Sequence, residues 1–410
     1  MSATCEQPRT TMAPARPAPA VWHAMVVLAT LMAFAGLSTD IYLPAMPRIA
    51  ESFGVAHGAM EFTVTAFLIG LSLGQLVWGP IGDRYGRRWP VALGLGLFLA
   101  GTAGCALAGG VQQMIAWRVV QAVGASASVV LSRAMVRDLY PGARGAQMMS
   151  LLVAVMTIAP LVAPSIGAQV AGLLGWRAVF VVLGAIGLLA LLGLLSLGET
   201  LPRADRSDRG LGAAFRDYGS LLGNRHVMGH ALVVGLFYIG MFAYIAGSPA
   251  VFIDYFGVSP QGYGLVFASG IVGVFGMNLV NGRLVARTGT TQLLRIGASA
   301  ALVLGLVFAV TAFTGIGGLW GIYLPLMGFV AMGGLIMPSA LSGAMDGAGR
   351  NAGAIAALCG AIQYGGGILG SALAGALADG TPRPLGGLLL VAGLVTFAAS
   401  LLLRGGGVKG

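Results

Sequence analysis

Twelve apolar stretches of about 20 residues, separated by short polar breaks, decide what this 410-residue chain can become. A helix of that length crosses the hydrocarbon of a bilayer, where every backbone N–H and C=O must find its partner within the chain. The pattern predicts helices over 22–43, 60–80, 90–109, 112–133, 146–171, 175–197, 228–250, 261–284, 292–314, 318–341, 352–377 and 385–403. Only 9% of the residues are charged and 57% are hydrophobic, whereas a soluble protein of this length exposes far more charge. The 67 glycines lie inside Leu/Val/Ala runs, where they suit close helix–helix contact rather than disorder.

The longest connection, Glu199 to Val227, is polar and Arg-rich and divides the spans six and six. Its middle, Leu211 to Leu222, is expected to form a short helix on the inner membrane surface. The organisation expected is a disordered Pro- and Ala-rich tail at 1–20, a six-helix bundle at 21–198, a linker at 199–227, a second bundle at 228–404 and a tail at 405–410. The first apolar run contains Asp40 and lacks a convincing cleavage site, so it is read as an uncleaved span rather than a signal peptide. The halves repeat. Gly282-Arg-Leu-Val-Ala-Arg-Thr-Gly289 lies 203 residues after Gly79-Pro-Ile-Gly-Asp-Arg-Tyr-Gly86. The same interval carries Phe53-Gly-Val55 onto Phe256-Gly-Val258 and Gly167 onto Gly370. Parallel six-helix repeats build one large class of transporters, with the substrate site between them near mid-membrane.

A net charge of +10 would suggest nucleic acid in a soluble protein. Here nineteen of the 23 basic residues fall on the side of the linker, and only Arg48, Arg177 and Arg383 on the other. That bias is the positive-inside rule, with both termini cytoplasmic and the bilayer as partner; nucleic acid is not expected. Cys5, Cys105 and Cys359 are far apart and have no metal spacing. His226 and His230 stand four apart with no acid or Cys near them, so no metal site is expected. No nucleophile–base pair or phosphate loop points to an enzyme, and no cofactor is implied.

Asp40 closes the first apolar run, about four residues before Pro44. An acid inside a span costs about 2.5–3.5 kcal/mol on the insertion scale and marks a functional site whose partner should be sought. Arg118 is the only basic residue well inside a span. Helix 4 runs inward from near Gln112, which puts Arg118 roughly 9 Å below the outer end, the depth of Asp40. The two are expected to pair, either as a proton-coupling site or as a fixed bridge between helices. Glu61 opens the second span and is read as an interfacial acid at a helix N-terminus, where negative charge is favoured, in preference to the alternative of a proton site.

Three motifs narrow the class. Gly79-Pro-Ile-Gly-Asp83-Arg84-Tyr-Gly86-Arg87-Arg88 resembles the G-x-x-x-D-R-x-G-R-R loop between helices 2 and 3 of the major facilitator superfamily. Asp83 among arginines can form a charge-assisted latch that holds the inward mouth closed and breaks during the cycle. In the second copy Ala286 replaces that acid. Arg118-Val-Val-Gln121-Ala122-Val-Gly124-Ala-Ser126 resembles the helix-4 motif of drug:proton antiporters, with Ala122 where that motif has Gly. Pro160-Leu-Val-Ala163-Pro164-Ser-Ile-Gly167 resembles their helix-5 motif, with Ala159 and Ala163 in place of two glycines. Its small face is expected to pack on a helix of the second half. Ser38-Thr-Asp40-Ile-Tyr42-Leu-Pro44, Arg133-Ala-Met-Val-Arg137-Asp138 and Ser248-Pro249 are similar to the Bcr/CflA subfamily of multidrug and bicyclomycin resistance transporters.

That resemblance implies an all-α membrane protein with the major facilitator fold, twelve helices in two pseudo-symmetric six-helix bundles. It implies proton-driven export of drugs or small metabolites from the bacterial inner membrane by a monomer. Met32 stands where some related transporters carry a further acid. The substrate pocket is expected to draw on Tyr42, Gln121, Phe242, Tyr244, Asn278, Gln363 and Tyr364, an aromatic set with few polar groups that tolerates varied amphipathic ligands. A facilitator-type importer or uniporter, and a polytopic enzyme or receptor, are the competing readings.

Overall fold

The computed structural model describes residues 21–403, apart from 57, 141–142, 208–210 and 347–351. The tails expected at 1–20 and 405–410 lie outside the described residues. The first half comprises α1 (Val21–Asp40), a 3-10 turn (Leu43–Ala45), α2 (Met46–Phe53), α3 (Gly58–Tyr85), α4 (Arg88–Leu107), α5 (Val111–Leu139), α6 (Ala143–Leu174) and α7 (Trp176–Ser196). The linker carries α8 (Leu211–Leu222), where a surface helix was expected. The second half comprises α9 (Arg225–Pro249), continued by a π-helical turn (Ala250–Tyr255), then α10 (Pro260–Thr288), α11 (Thr290–Thr314), α12 (Gly318–Ala331), α13 (Gly333–Met345), α14 (Ala352–Leu377) and α15 (Arg383–Leu401). The regular elements are helical because long apolar runs leave each peptide group to bond within its own helix. Among the described residues eleven helices are long and apolar enough to cross a membrane, counting α12 and α13 as one, and α6 adds the shorter apolar stretch Ile158–Leu174.

The repeat seen in the sequence is a repeat of backbone geometry. Gly54 and Gly257 close matching turns with φ of 65° and 68°, and Gly86 and Gly289 do so with 94° and 79°. These left-handed values are open to glycine at little cost, and each pair is separated by the same 203 residues. Gly167 and Gly370 match in packing. A Cβ on Gly167 would overlap the Ile41 carbonyl at the end of α1, and one on Gly370 would overlap the Ile239 carbonyl of α9. Gly167 of α6 therefore packs on the end of α1 in its own half, while another face of α6 packs on α10 of the second half, the kind of neighbour the sequence suggested. The cross-half contact of α6 is made by Ser165, whose Oγ would lie 2.7 Å from a Cβ on Gly264 of α10.

The halves meet along α3–α14 and α6–α10. Thr65 and Ser371 share a hydrogen bond of 2.9 Å across the first seam, and Ser72 donates to the Ala361 carbonyl at 3.2 Å. At the end remote from the linker, the 3-10 turn and α2 also touch α9, α10 and the π-helical turn. α5 runs on to Leu139, so Arg133 and Arg137, expected to lie beyond the span, ride on its last two turns.

Overpacking a tight site costs about 1–3 kcal/mol. Gly167→Val and Gly370→Val should each lower the thermal unfolding midpoint in detergent, whereas Gly96→Val, with open space around its Cβ, should not. Equal midpoints for all three would contradict the matched packing.

Candidate functional site

The centre of the first half is a buried cation. Arg118 has no exposed surface. Its guanidinium lies between two ring faces, 4.2 Å from the centroid of Tyr42 and 4.3 Å from that of Phe67. Nη1 donates to the Ser38 carbonyl at 3.0 Å and to Gln121 Oε1 at 2.8 Å. Gln121 in turn donates to Thr102 Oγ1 at 2.8 Å, and Tyr42 shares a hydrogen bond of 2.8 Å with Thr63. One residue thus ties together α1, α3, α4 and α5. Cation–π contact of this kind contributes about 2 kcal/mol when desolvated. Arg118 Nε and Nη2 and the Ser38 hydroxyl have no hydrogen-bond partner, which leaves donors free beside the site.

Asp40 is the last residue of α1 and is 5% exposed. It is close enough to Arg118 for each to feel the other's charge, but no ion pair joins them among the described residues. This corrects the expected salt bridge: the ring faces and a backbone carbonyl hold the guanidinium instead. Across the seam, Tyr244 of α9, Tyr263 of α10 and Tyr364 of α14 lie within electrostatic reach of Asp40. Tyr263 bonds Ser248 at 2.8 Å, while the Tyr244 hydroxyl is buried without a partner. The site is an acid of the first half facing a tyrosine wall of the second.

The residues expected to line a pocket divide in two. Tyr42 and Gln121 are fully buried in the Arg118 cluster, and Tyr244 is stacked on Phe267 at 5.8 Å. These are core positions in this conformation. Phe242 and Tyr364 do come together, with ring centroids 6.2 Å apart. Tyr238 joins the group at 5.8 Å from Phe242 and donates to Met337 Sδ at 3.2 Å. Arg133 of α5 is exposed and lies within electrostatic reach of Tyr364 from the other half. Tyr238 and Arg133 were not singled out as pocket residues; Tyr238, one turn before Phe242 on the same helix face, could have been. Asn278 is exposed on α10, whereas Asn281, one turn on, is buried and bonds Leu335 and Ser339 of α13. His226 and His230 bond the Gly343 carbonyl and the His226 carbonyl, respectively.

At the linker end the hub is Arg87 rather than Asp83. The buried Arg87 side chain donates to Asp83 at 2.6 Å and to Asp138, at the end of α5, at 2.9 Å. Burial opposes its charge, but the Asp138 and Asp83 carboxylates more than offset this and raise its affinity for the proton. Glu199, which the sequence left unassigned, accepts from the backbone N–H groups of Arg87 and Arg88 and caps the start of α4. It also pairs with Arg206 at 3.7 Å. Gly86 is required where the chain turns, because a Cβ there would lie 2.5 Å from Glu199 Oε2. Gly79 starts the last turns of α3; Arg84 lies over the Tyr85 ring, and Arg88 bonds the Leu195 carbonyl. All these contacts belong to the first half and the linker. Asp83 does take a charge-assisted bond from a nearby arginine, Arg87, as the motif suggested. In α6, Pro160 lies against Gly36 of α1, with 3.3 Å to a Cβ placed there, and Pro164 and Gly167 follow on the same helix.

Residues 28–371 match the family model of the Major Facilitator Superfamily. The chain is 35% identical over 338 residues to an uncharacterised MFS-type transporter, YdgK, of Bacillus subtilis, covering 82% of this chain and 84% of that one. It is 30% identical to a bicyclomycin resistance protein homolog of Haemophilus influenzae, covering 80% and 83%. Among solved structures, a D-xylose–proton symporter superposes with a TM-score of 0.74 at 17% identity, covering 94% of this chain and 97% of that one, a likeness of fold.

Removing one partner from a buried ion pair costs about 3–5 kcal/mol. Arg87→Ala should therefore destabilise the protein far more than Arg84→Ala, read as the loss of folded protein on heating in detergent. Equal loss would contradict the hub at Arg87.

Proposed function

The chain belongs to the Major Facilitator Superfamily, and from that premise we propose that it is an antiporter that exports drugs or small amphipathic metabolites in exchange for protons. The observation that carries this reading is Asp40, an acid buried at the seam between the halves, beside a cation that is not its ion-pair partner. An unpaired carboxylate is costly in a dry site, so Asp40 holds a proton while the seam around it is closed. Its carboxyl O–H breaks when that site opens to water, and the proton leaves as hydronium. The Arg118 charge makes release possible by stabilising the carboxylate left behind. Substrate entering from the linker side competes with the proton for the same state, which links the two fluxes. Each proton moving down a 100 mV potential supplies about 2.3 kcal/mol.

The excess of Lys and Arg on the linker side supports an orientation with both termini in the cytoplasm of a bacterial cell. Tyr238, Phe242, Gln363 and Tyr364 offer an aromatic wall with few polar groups, suited to amphipathic ligands. The name of the Haemophilus relative supports an antibiotic-like substrate. The proton gradient is the energy source in this scheme, with no cofactor and no bond-making catalysis, and a single chain contains both halves of the pathway.

Purified protein in vesicles with an internal pH-sensitive dye and an imposed proton gradient tests the proposal. Chloramphenicol-like compounds and other amphipathic drugs should trigger proton movement along the gradient. Asp40→Asn should abolish it while leaving insertion intact. Uphill export that survives in Asp40→Asn, or substrate equilibration indifferent to the gradient, would overturn antiport and favour a uniporter.

A further inference from the structure

Glu61 lies in the first turn of α3, at the end of the molecule remote from the linker. The sequence reading preferred an interfacial acid at a helix N-terminus to a proton site. Instead it is only 3% exposed, and its Oε2 has no hydrogen-bond partner. The cause is the seam. α3 is pressed on α14 so closely that a Cβ on Gly58 would lie 2.9 Å from both the Gly375 carbonyl and the Ala378 side chain. A Cβ on Gly247 of α9 would lie 3.9 Å from each Glu61 carboxyl oxygen. Glu61 thus belongs to the first half and is buried by two helices of the second.

Among the described residues, the charged groups that line its surroundings offer no counterion. Glu61 lines a small cavity with Met46 and Pro47 of the first half, and with Ala246, Pro249 and Asp254 of the second. No Lys or Arg lines this cavity among the described residues, and its other titratable group, Asp254, is also an acid. Asp379, just past the end of α14, is exposed and bonds Thr381. An ionised carboxylate enclosed this way, with one oxygen unpartnered, is far more costly than the neutral acid. The positive end of α3 offsets only part of that cost. When the seam parts, water solvates the carboxylate and the penalty disappears.

We propose that Glu61 is a second proton-binding site, its carboxyl occupied while α3 lies closed against α9 and α14 and emptied to water when that seam opens. On opening, the carboxyl O–H breaks, the proton passes to water on the far side, and a hydrated carboxylate remains. Closing the seam requires the proton to return, so the far gate shuts only when loaded. The proposal rests on reading the chain as an alternating-access transporter driven by protons.

The test reads gate opening rather than transport. Spin labels are placed at Ser52→Cys of α2 and Tyr255→Cys of the π-helical turn, both exposed and on opposite sides of the seam. The full chain carries Cys5→Ser, Cys105→Ala and Cys359→Ala, and also Asp40→Asn, so that the other buried acid of the spans does not contribute. Double electron–electron resonance in lipid discs, from about pH 5 to about pH 9, gives the open fraction. A several-fold rise in the long-distance population with pH is expected. Adding Glu61→Gln should abolish that rise and hold the seam closed at every pH. Glu61→Asp and Asp254→Asn should each retain it. A pH response unchanged by Glu61→Gln, or none with Glu61 present, would overturn the proposal. Because Asp40→Asn removes coupling at the other acid, failure of antiport itself is read separately, as the absence of drug-driven proton flux in wild-type vesicles.

Discussion

A guanidinium with no access to solvent is the constraint on which the first half depends. Arg118 is kept by two ring faces, one backbone carbonyl and one amide oxygen, and each of those four contacts fixes a neighbour. Tyr42 must lie flat under the charge, which sets the turn after α1. Ser38 must present its carbonyl, which sets the last turn of α1, and Asp40 follows from there. Had Arg118 formed a plain salt bridge with Asp40, both charges would have been spent on each other. With Arg118 held by the rings, Asp40 stays close to a positive charge without an ion pair, which is what the proposed proton exchange needs.

The two halves share a backbone plan and divide the chemistry. Glycines at matching positions turn the chain with matching left-handed angles. Arg84 recurs as Arg287 and Glu51 as Asp254, but the site charges do not repeat. The position 203 residues after Asp40 is Ala243, that after Glu61 is Gly264, that after Asp83 is Ala286 and that after Arg118 is Gly321. The second half offers tyrosines instead, at 238, 244, 263 and 364. An acid on one side of a seam and aromatic hydroxyls on the other allow the seam to separate without breaking an ion pair. Two buried acids lie at different places on that seam, Asp40 and Glu61, and in the proposed scheme their proton occupancy bears on how the halves pack.

Much of this was legible in the sequence, because hydrophobic length and glycine punctuation are local signals. Most of the spans, the linker helix and the repeat follow from run length and spacing. Asp40 and Arg118 stood out because a charge in an apolar run is conspicuous. Their relation was not legible. Depth along a helix can be counted, but azimuth and rotamer cannot, and Tyr42 reaches Arg118 from the turn after α1 while Phe67 reaches it from α3. The same limit hid Glu61: a helix-end acid reads as solvated unless the neighbour that covers it is known, and that neighbour is more than 300 residues away at Gly375. It hid Glu199 too, since a cap supplied from the linker leaves no local pattern at Arg87.

Infrared difference spectroscopy on the reconstituted protein, with and without a bound drug, observes the carboxyl of Asp40 directly. Binding at the site that competes with the proton should remove a protonated-carboxyl C=O band and produce carboxylate absorption, a change missing in Asp40→Asn. A drug-induced spectrum with the same carboxyl change in Asp40→Asn would mean that the proton is carried elsewhere, and that Asp40 and Arg118 only hold helices together.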